Sequence, residues 1–423
     1  MPRSTPLAHP AAPEPMTETR PDFSLDSLPE PTLVTDDRGL GEMLAFLSDQ
    51  AEIAVDTEAD SFFSYREKVC LVQVTAGGRD YLVDPLGHLD FMPFGELLAD
   101  PRRIKVFHDG EYDVLILKRD YEFDFSNLFD TRVAAAVIGH EAPGLASVLK
   151  AHFGVVLNKA MQRSDWSQRP LSAKQIAYAR LDTHFLLDLM AEQKSELETL
   201  GRAHIVDGEC RRLEALVPPK VVFDPNGFAK IRGVRELRPL ARRALGELFV
   251  FRDSIAAGRN RPPFKVLQNT ALLELAAALP TSIKEMRGIR GLSDRVLRDL
   301  GNGLLEAIER AREAGPLEQL PRPAKRRVDG DLDEIAQELH ERLKEWRKRW
   351  GAKLGVESAY LLNRHGLLQL ASQRPTNREQ LAKLTGLQPW QVEEKGTELL
   401  ELIAVFEQDL ASGKVNPRRR RRR

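Results

Sequence analysis

Apolar runs rich in β-branched residues crowd into the first quarter of the chain and then stop. They are TLVT (32–35), AEIAVDTE (51–58), VCLVQVT (69–75), DYLVD (80–84) and RIKVFH (103–108). Each has the length and composition of a strand. Segments of helical period are interleaved with them and then follow them: GLGEMLAFLSDQ, FMPFGELLAD, EYDVLILKRD, DTRVAAAVIGH and GLASVLKAHFG. Strands first and mostly helices afterwards predict a mixed sheet covered by helices, an α/β domain over residues 29–205. Beyond the Pro-rich stretch VPPKVVFDPNG (217–227) helical periodicity takes over. The remainder therefore predicts all-α domains.

That remainder repeats itself. VLQNTALLELAAALPTSIKEMRGIRGL (266–292) resembles YLLNRHGLLQLASQRPTNREQLAKLTGL (360–387), with Asn269 answering Asn363, Pro280 answering Pro375 and Gly291 answering Gly386. The offset of 94 to 95 residues is too long for a solenoid unit and suits two copies of a small helical domain, 231–315 and 331–413. Residues 206–230 and 316–330 read as linkers, the second because LPRPAKRRVDGD is proline-rich and basic. Residues 1–28, rich in Pro, Thr and Glu, are expected to stay disordered. NPRRRRRR closes the chain as a basic tail, 414–423, whose like charges repel.

The net charge of -1 conceals an asymmetry: residues 1–210 sum to -15 and residues 211–423 to +14. A basic half attracts a polyanion, and an acidic half can hold divalent cations that chemistry on a polyanion uses; two ordinary solvated surfaces are the plainer alternative. No apolar run approaches the ~20 residues that cross a bilayer, and the N-terminal residues carry no apolar core of a signal peptide. A soluble, cytoplasmic protein with no membrane partner is expected. The two cysteines, Cys70 and Cys210, fit no metal-ligand spacing and read as buried thiols.

Asp56 and Glu58 end the run IAVDTE two residues apart, so on a strand both point to one face. Such a pair repels itself unless a hard cation sits between them, although a solvated strand end is the commoner setting for a lone D-x-E. Asp113, in HDGEYDV, opens a helix, where the dipole favours an acid even without function. Tyr178 and Asp182 are four apart in AKQIAYARLDTHFLLDLM and share one helix face.

Taken together, DTE on a strand, Asp at a strand-to-helix turn and Y-x-x-x-D on a late helix resemble the DEDD 3′-to-5′ exonucleases in their tyrosine subclass. DWSQRPLSAKQIAYARLDTHFLLDLM resembles the third exonuclease motif of ribonuclease D, and the two repeats resemble HRDC domains. One nuclease followed by two HRDC domains is the ribonuclease D architecture, and the likeness covers about nine-tenths of the chain. The resemblance implies a ribonuclease H-like mixed-sheet exonuclease domain. It makes Asp56, Glu58, Asp113 and Asp182 ligands of two divalent metal ions, Mg²⁺ or Mn²⁺, with Tyr178 orienting or helping to deprotonate the attacking water. Ala177 stands where the histidine subclass has its histidine. Ala59 follows Glu58 where many members carry a large apolar wedge, so Phe62, Phe63 or Tyr65 is expected to stack on the 3′ nucleotide or to pack in the core. His108 and Gln73 lie near the motifs without a decided role.

The first repeat sums to +6 and the second to -3. Arg259, Arg261 and Lys265, around a Pro-Pro turn, are therefore expected to grip phosphate, with the second repeat a spacer or docking surface. Trp346 and Trp350, four apart, read as core. The resulting expectation is a metal-dependent exoribonuclease that trims RNA 3′ ends, with tRNA precursors or other structured RNA with a single-stranded 3′ end as partners and nucleoside 5′-monophosphates as products. A DNA 3′-to-5′ exonuclease in repair and a non-catalytic nucleic-acid scaffold are the alternatives.

Overall fold

The computed structural model describes residues 28–220, 222–321 and 332–415. Residues 1–27 of the segment expected to be disordered, most of the 316–330 linker and the six-arginine tail lie outside these residues.

The first domain opens with β1 (Thr32–Asp36), α1 (Asp37–Leu47), β2 (Glu52–Ala59), β3 (Val69–Ala76) and β4 (Arg79–His88). It continues through α2 (Met92–Ala99), β5 (Ile104–Phe107), α3 (Glu111–Tyr121), β6 (Leu128–Asp130), α4 (Thr131–Ile138) and α5 (Leu145–Phe153), and ends with α6 (Ala173–His184), α7 (Leu186–Leu200) and α8 (Ala203–Glu214). The strands form one mixed sheet in the order β1-β4-β3-β2-β5-β6, with β2-β3 and β3-β4 antiparallel and the other pairs parallel. β2 and β3 are central and covered on both faces. That is why their sequences read as nearly unbroken apolar runs rather than alternating ones.

Two elements depart from the sequence reading. The three-residue strand β6 is too short to carry a pattern of its own. More important, α8 occupies the first part of the stretch expected as a linker. Its Ile205, Val206, Cys210 and Leu213 are buried on one face, which packs on β6 and α4. Tertiary burial rather than local propensity makes this segment part of the nuclease domain.

The first repeat comprises α9 (Pro239–Gly258), α10 (Pro263–Val266), α11 (Asn269–Ala278), α12 (Ile283–Met286) and α13 (Asp294–Ala314). The second comprises α14 (Glu334–Leu354), α15 (Ser358–Leu361), α16 (Arg364–Gln373), α17 (Arg378–Ala382) and α18 (Pro389–Ala411). The internal likeness is structural in detail. α11 and α16 each run ten residues and end on a left-handed residue, Leu279 at φ 47° and Arg374 at φ 46°. The Ser282 and Asn377 side chains then cap the following short helices.

The two copies are held differently. The second shares one continuous apolar core with the nuclease, including Leu343, Trp346, Trp350 and Leu399. Arg202 donates to the Leu354 carbonyl at 2.7 Å, Arg132 to the Tyr360 hydroxyl at 2.6 Å, and Trp390 packs edge-on against His204. Gly208 permits the approach of α8, because a Cβ there would stand 3.0 Å from Trp390 Nε1. The first repeat has a separate core. It meets the nuclease through the 60–66 loop, where the Tyr65 hydroxyl donates to Asp253 at 2.8 Å, the Tyr65 amide donates to Asn260 at 3.2 Å, and Lys265 Nζ lies 3.7 Å from the Phe63 ring centroid.

Candidate active site

Strand alternation places Asp56 and Glu58 on one face of β2, opposite Gln73 and Leu71 of β3. Asp113 comes from the first turn of α3, and that turn is fixed by buried Asp130. The Asp130 carboxylate accepts from the backbone N–H groups of Asp109 (3.1 Å) and Gly110 (2.8 Å) and also caps α4 through Arg132 (2.9 Å) and Val133 (3.0 Å). Gly110 is required here, since a Cβ would lie 2.6 Å from that of Phe107. The Thr57 hydroxyl donates to Asp113 and sets its orientation.

Tyr178 and Asp182 depend on the placement of α6, which packs on β2, β3 and β4. Ser172 and Gln175 form a capping box at its start. Further along, Arg180 donates to buried Asp80 at 2.7 Å, His184 Nδ1 approaches Asp80 at 2.9 Å, and Thr75 and Thr183 share a 2.8 Å hydrogen bond. Burial opposes ionisation of Asp80, but the hydrogen bonds from His184 and Arg180 outweigh it and hold the carboxyl below its ordinary range. Tyr178 stands one turn before Asp182 on the same face, and its phenol partly offsets the upward shift of the Asp182 carboxyl. Trp166, 1% exposed, backs the Tyr178 ring.

The four acids and Tyr178 line one cavity of about 350 Å³. Burial, and then mutual repulsion, raise Asp56 and Asp182 well above the ordinary carboxylate range; Glu58 is pushed up to about 9 by burial and by Asp182 and Asp113. Asp113 rises chiefly through burial, opposed by the Thr57 hydrogen bond. Four carboxylates at one site are stable as anions only with cations among them. Hard oxygen donors of this kind suit Mg²⁺, Mn²⁺ or Ca²⁺ and not softer metals. Among the described residues no three His, Cys, Asp or Glu side chains already surround a single point.

With this geometry in place, comparison with known proteins identifies the chain. Residues 31–198 match the 3′-5′ exonuclease family, and residues 241–308 and 336–403 match the HRDC domain. Ribonuclease D of Pseudomonas paraeruginosa is 32% identical over 285 residues, 67% of this chain and 75% of the relative. The chain belongs to the ribonuclease D family. It is a 3′-to-5′ exoribonuclease with a mixed-sheet nuclease domain and helical HRDC domains. The crystal structure of Escherichia coli ribonuclease D, described as an exoribonuclease involved in structured RNA processing, superposes with a TM-score of 0.62 at 26% identity. The match covers 90% of this chain and 99% of that one. The exosome complex component 10 homolog of Caenorhabditis elegans is 33% identical over 303 residues, 70% of this chain, and this chain spans about a third (34%) of that protein's length.

Other cavity residues were not assigned by sequence. His108 lines the cavity, with its Nδ1 2.9 Å from the Thr131 hydroxyl. Thr131 itself donates to the Phe107 carbonyl, so it accepts from His108 Nδ1–H and leaves Nε2 unprotonated. Burial pushes His108 down to about 4. Arg132, the lone charge in the apolar α4, reaches the same cavity and pairs with Asp109 at 3.5 Å. Its signal in the sequence was that isolation, TRVAAAVI.

The substrate contacts expected from the sequence fare unevenly. Phe62 is 47% exposed, with Arg163 over its ring, next to cavity residue Gln162. Tyr65 instead serves the contact with the first repeat, because its hydroxyl is held by Asp253, which runs against the expectation that it stacks on a base. Arg259 is committed to Asp299 at 2.6 Å and Lys265 to Phe63, whereas Arg261 has no ion-pair partner among the described residues. The sequence marked these cations as exposed but could not show that two of them are engaged within the protein.

Proposed function

We propose that this ribonuclease D-family enzyme trims the single-stranded 3′ ends of structured RNA, tRNA precursors among them, and releases nucleoside 5′-monophosphates. The observation that carries this reading is the convergence of Asp56, Glu58, Asp113, Asp182 and Tyr178 on one cavity. Two divalent cations, Mg²⁺ or Mn²⁺, held by the four carboxylates supply activation of the attacking water and neutralisation of charge on the leaving oxygen.

The chain's own residues do the positioning. Burial, and then the neighbouring acids, raise Tyr178 above the ordinary phenol range in the ion-free site, and its hydroxyl orients the attacking water or helps to deprotonate it. Arg132, at the edge of the cavity, faces the phosphate, and Phe62 offers a stacking surface to a terminal base without regard to its identity. Water oxygen bonds to phosphorus as the bond from phosphorus to the upstream 3′ oxygen breaks. One water proton ends on that oxygen, leaving a new 3′-hydroxyl and a 5′-monophosphate. The basic first repeat draws the remaining RNA toward an otherwise repulsive acidic half.

The test is a time course on a tRNA precursor with a 3′ overhang, and on a DNA strand of matched sequence, with Mg²⁺ or Mn²⁺ and an EDTA control. Stepwise shortening that stops near the stem is expected. Asp182→Asn should reduce turnover to background while RNA binding persists, and Tyr178→Phe should fold normally and lose about 10²-fold in kcat. Near-normal turnover by Asp182→Asn overturns the assignment, and equal turnover of the DNA strand moves the substrate class to DNA.

A further inference from the structure

Gln73 is fully buried, and neither its Oε1 nor its Nε2 has a hydrogen-bond partner. Exchanging the two amide atoms does not help, since both are orphaned. Buried polar groups are paired in the great majority of cases, and an exception calls for a specific cause. Its position supplies one. Gln73 stands directly across from Asp56 in the antiparallel β2-β3 pair, so their side chains share a face roughly 5 Å apart at Cβ. Two residues to one side on that face, Leu71 packs with Ala179 and Tyr178; two residues to the other, Thr75 bonds Thr183. The amide therefore lies beneath the turn of α6 that carries Asp182, with Asp56 beside it on the strand.

The other acids are not alike in support. Asp113 has the Thr57 hydroxyl and Asp182 has the Tyr178 phenol. Asp56, at the centre of the cluster, has a backbone hydrogen bond from Thr57 but no side-chain donor among the described residues. Carboxylates that ligate a metal are themselves held by neighbouring donors, and loss of such a donor characteristically costs 10- to 100-fold in metal affinity. An amide is suited to the task because it donates without adding charge to an already repulsive site.

We infer that Gln73 is a positioning residue for the cation site, its Nε2–H group donating to Asp56 or Asp182 when those carboxylates ligate. The inference rests on the metal-dependent reading above and goes beyond it. On this view the unpaired amide is a stability deficit of the ion-free protein, made good when the ligands take up their bound arrangement.

The test compares the full chain with Gln73→Met, which is apolar and nearly isosteric, and with Gln73→Asn, which keeps the amide but withdraws it by one methylene. Mn²⁺ binding to the EDTA-stripped protein is followed by titration calorimetry, and thermal unfolding is measured with and without Mn²⁺. Gln73→Met should unfold at a higher temperature in EDTA, since an unsatisfied group is gone, yet bind Mn²⁺ about 10- to 100-fold more weakly. Gln73→Asn should lose affinity to an intermediate extent. Kinetically, both variants should need more Mg²⁺ for half-maximal rate and recover much of kcat when it is saturating. Wild-type Mn²⁺ affinity in either folded variant overturns the inference and makes Gln73 an ordinary core amide. Asp182→Asn is the reference: if it too binds Mn²⁺ as the parent does, the metal reading fails and the role of Gln73 fails with it.

Discussion

The two helical repeats share a fold, the order of their helices and even their left-handed helix ends, yet one is fused to the nuclease and the other is attached to it by a loop. The difference lies in a few surface positions. Ser293 and Gln388 are equivalent caps, and two residues on, the first repeat has exposed Arg295 where the second has Trp390, wedged against Gly208 and His204. An apolar residue at such a site converts a solvated helix end into an interface; a charged one leaves the module free to meet a polyanion. The two repeats have similar helices, and residues such as Arg295 and Trp390 at equivalent positions differ in whether they face solvent or the nuclease.

The strongest challenge to this comparison uses equivalent leucines. Leu304 and Leu399, 95 residues apart, are both buried, the first in the separate core and the second in the shared one. Each Leu→Ala change should cost about 2–5 kcal/mol. By differential scanning calorimetry, Leu399→Ala should lower the transition of the nuclease and second repeat together, whereas Leu304→Ala should lower that of the first repeat alone. A nuclease transition unmoved by Leu399→Ala breaks the claim of a shared core.

A smaller effect separates the same two units by pH. Glu58 sits at about 9 in the folded protein against an ordinary 4.5, so the folded form binds more protons between those values. Its contribution is fully present below the unfolded value and is lost as pH rises through the folded one. In EDTA, the nuclease transition should therefore fall as pH is raised from 5 to 9, and Mg²⁺ should restore it. The shifted acids of the first repeat, Glu285 and Asp299, lie below their ordinary range, so its transition should stay flat over that window. A parallel fall in both transitions would contradict the separation.

The smallest expected effect concerns RNA. Replacing Arg261 and Lys265 with Ala should weaken tRNA binding and lower the salt slope of log affinity by roughly 0.7–0.9 for each phosphate the protein ceases to neutralise. Arg259, already paired with Asp299, should contribute less. Arg364→Ala in the second repeat should change the slope less than the first-repeat pair does. Fluorescence anisotropy of a labelled precursor at several salt concentrations checks this, and a larger drop in affinity from Arg364→Ala would shift RNA binding to the fused repeat.

The sequence by itself determined the strand runs and the helical repeat, because each is written in local spacing, and it singled out the five residues of the candidate site only where that spacing met the resemblance to a known family. D-x-E on a strand and Y-x-x-x-D on a helix put their side chains on one face through backbone periodicity alone. What it could not decide depends on non-local neighbours. Whether 203–214 is a linker or a helix turns on burial against β6. Whether Tyr65 meets a base or Asp253 turns on how a domain nearly 200 residues away docks. The buried, unpartnered amide of Gln73 reads in VCLVQVT as an ordinary polar interruption, and only the registration of β3 against β2, under α6, sets it beside the carboxylates. Periodicity is encoded within a few residues, whereas pairing and burial arise only when distant segments are brought together.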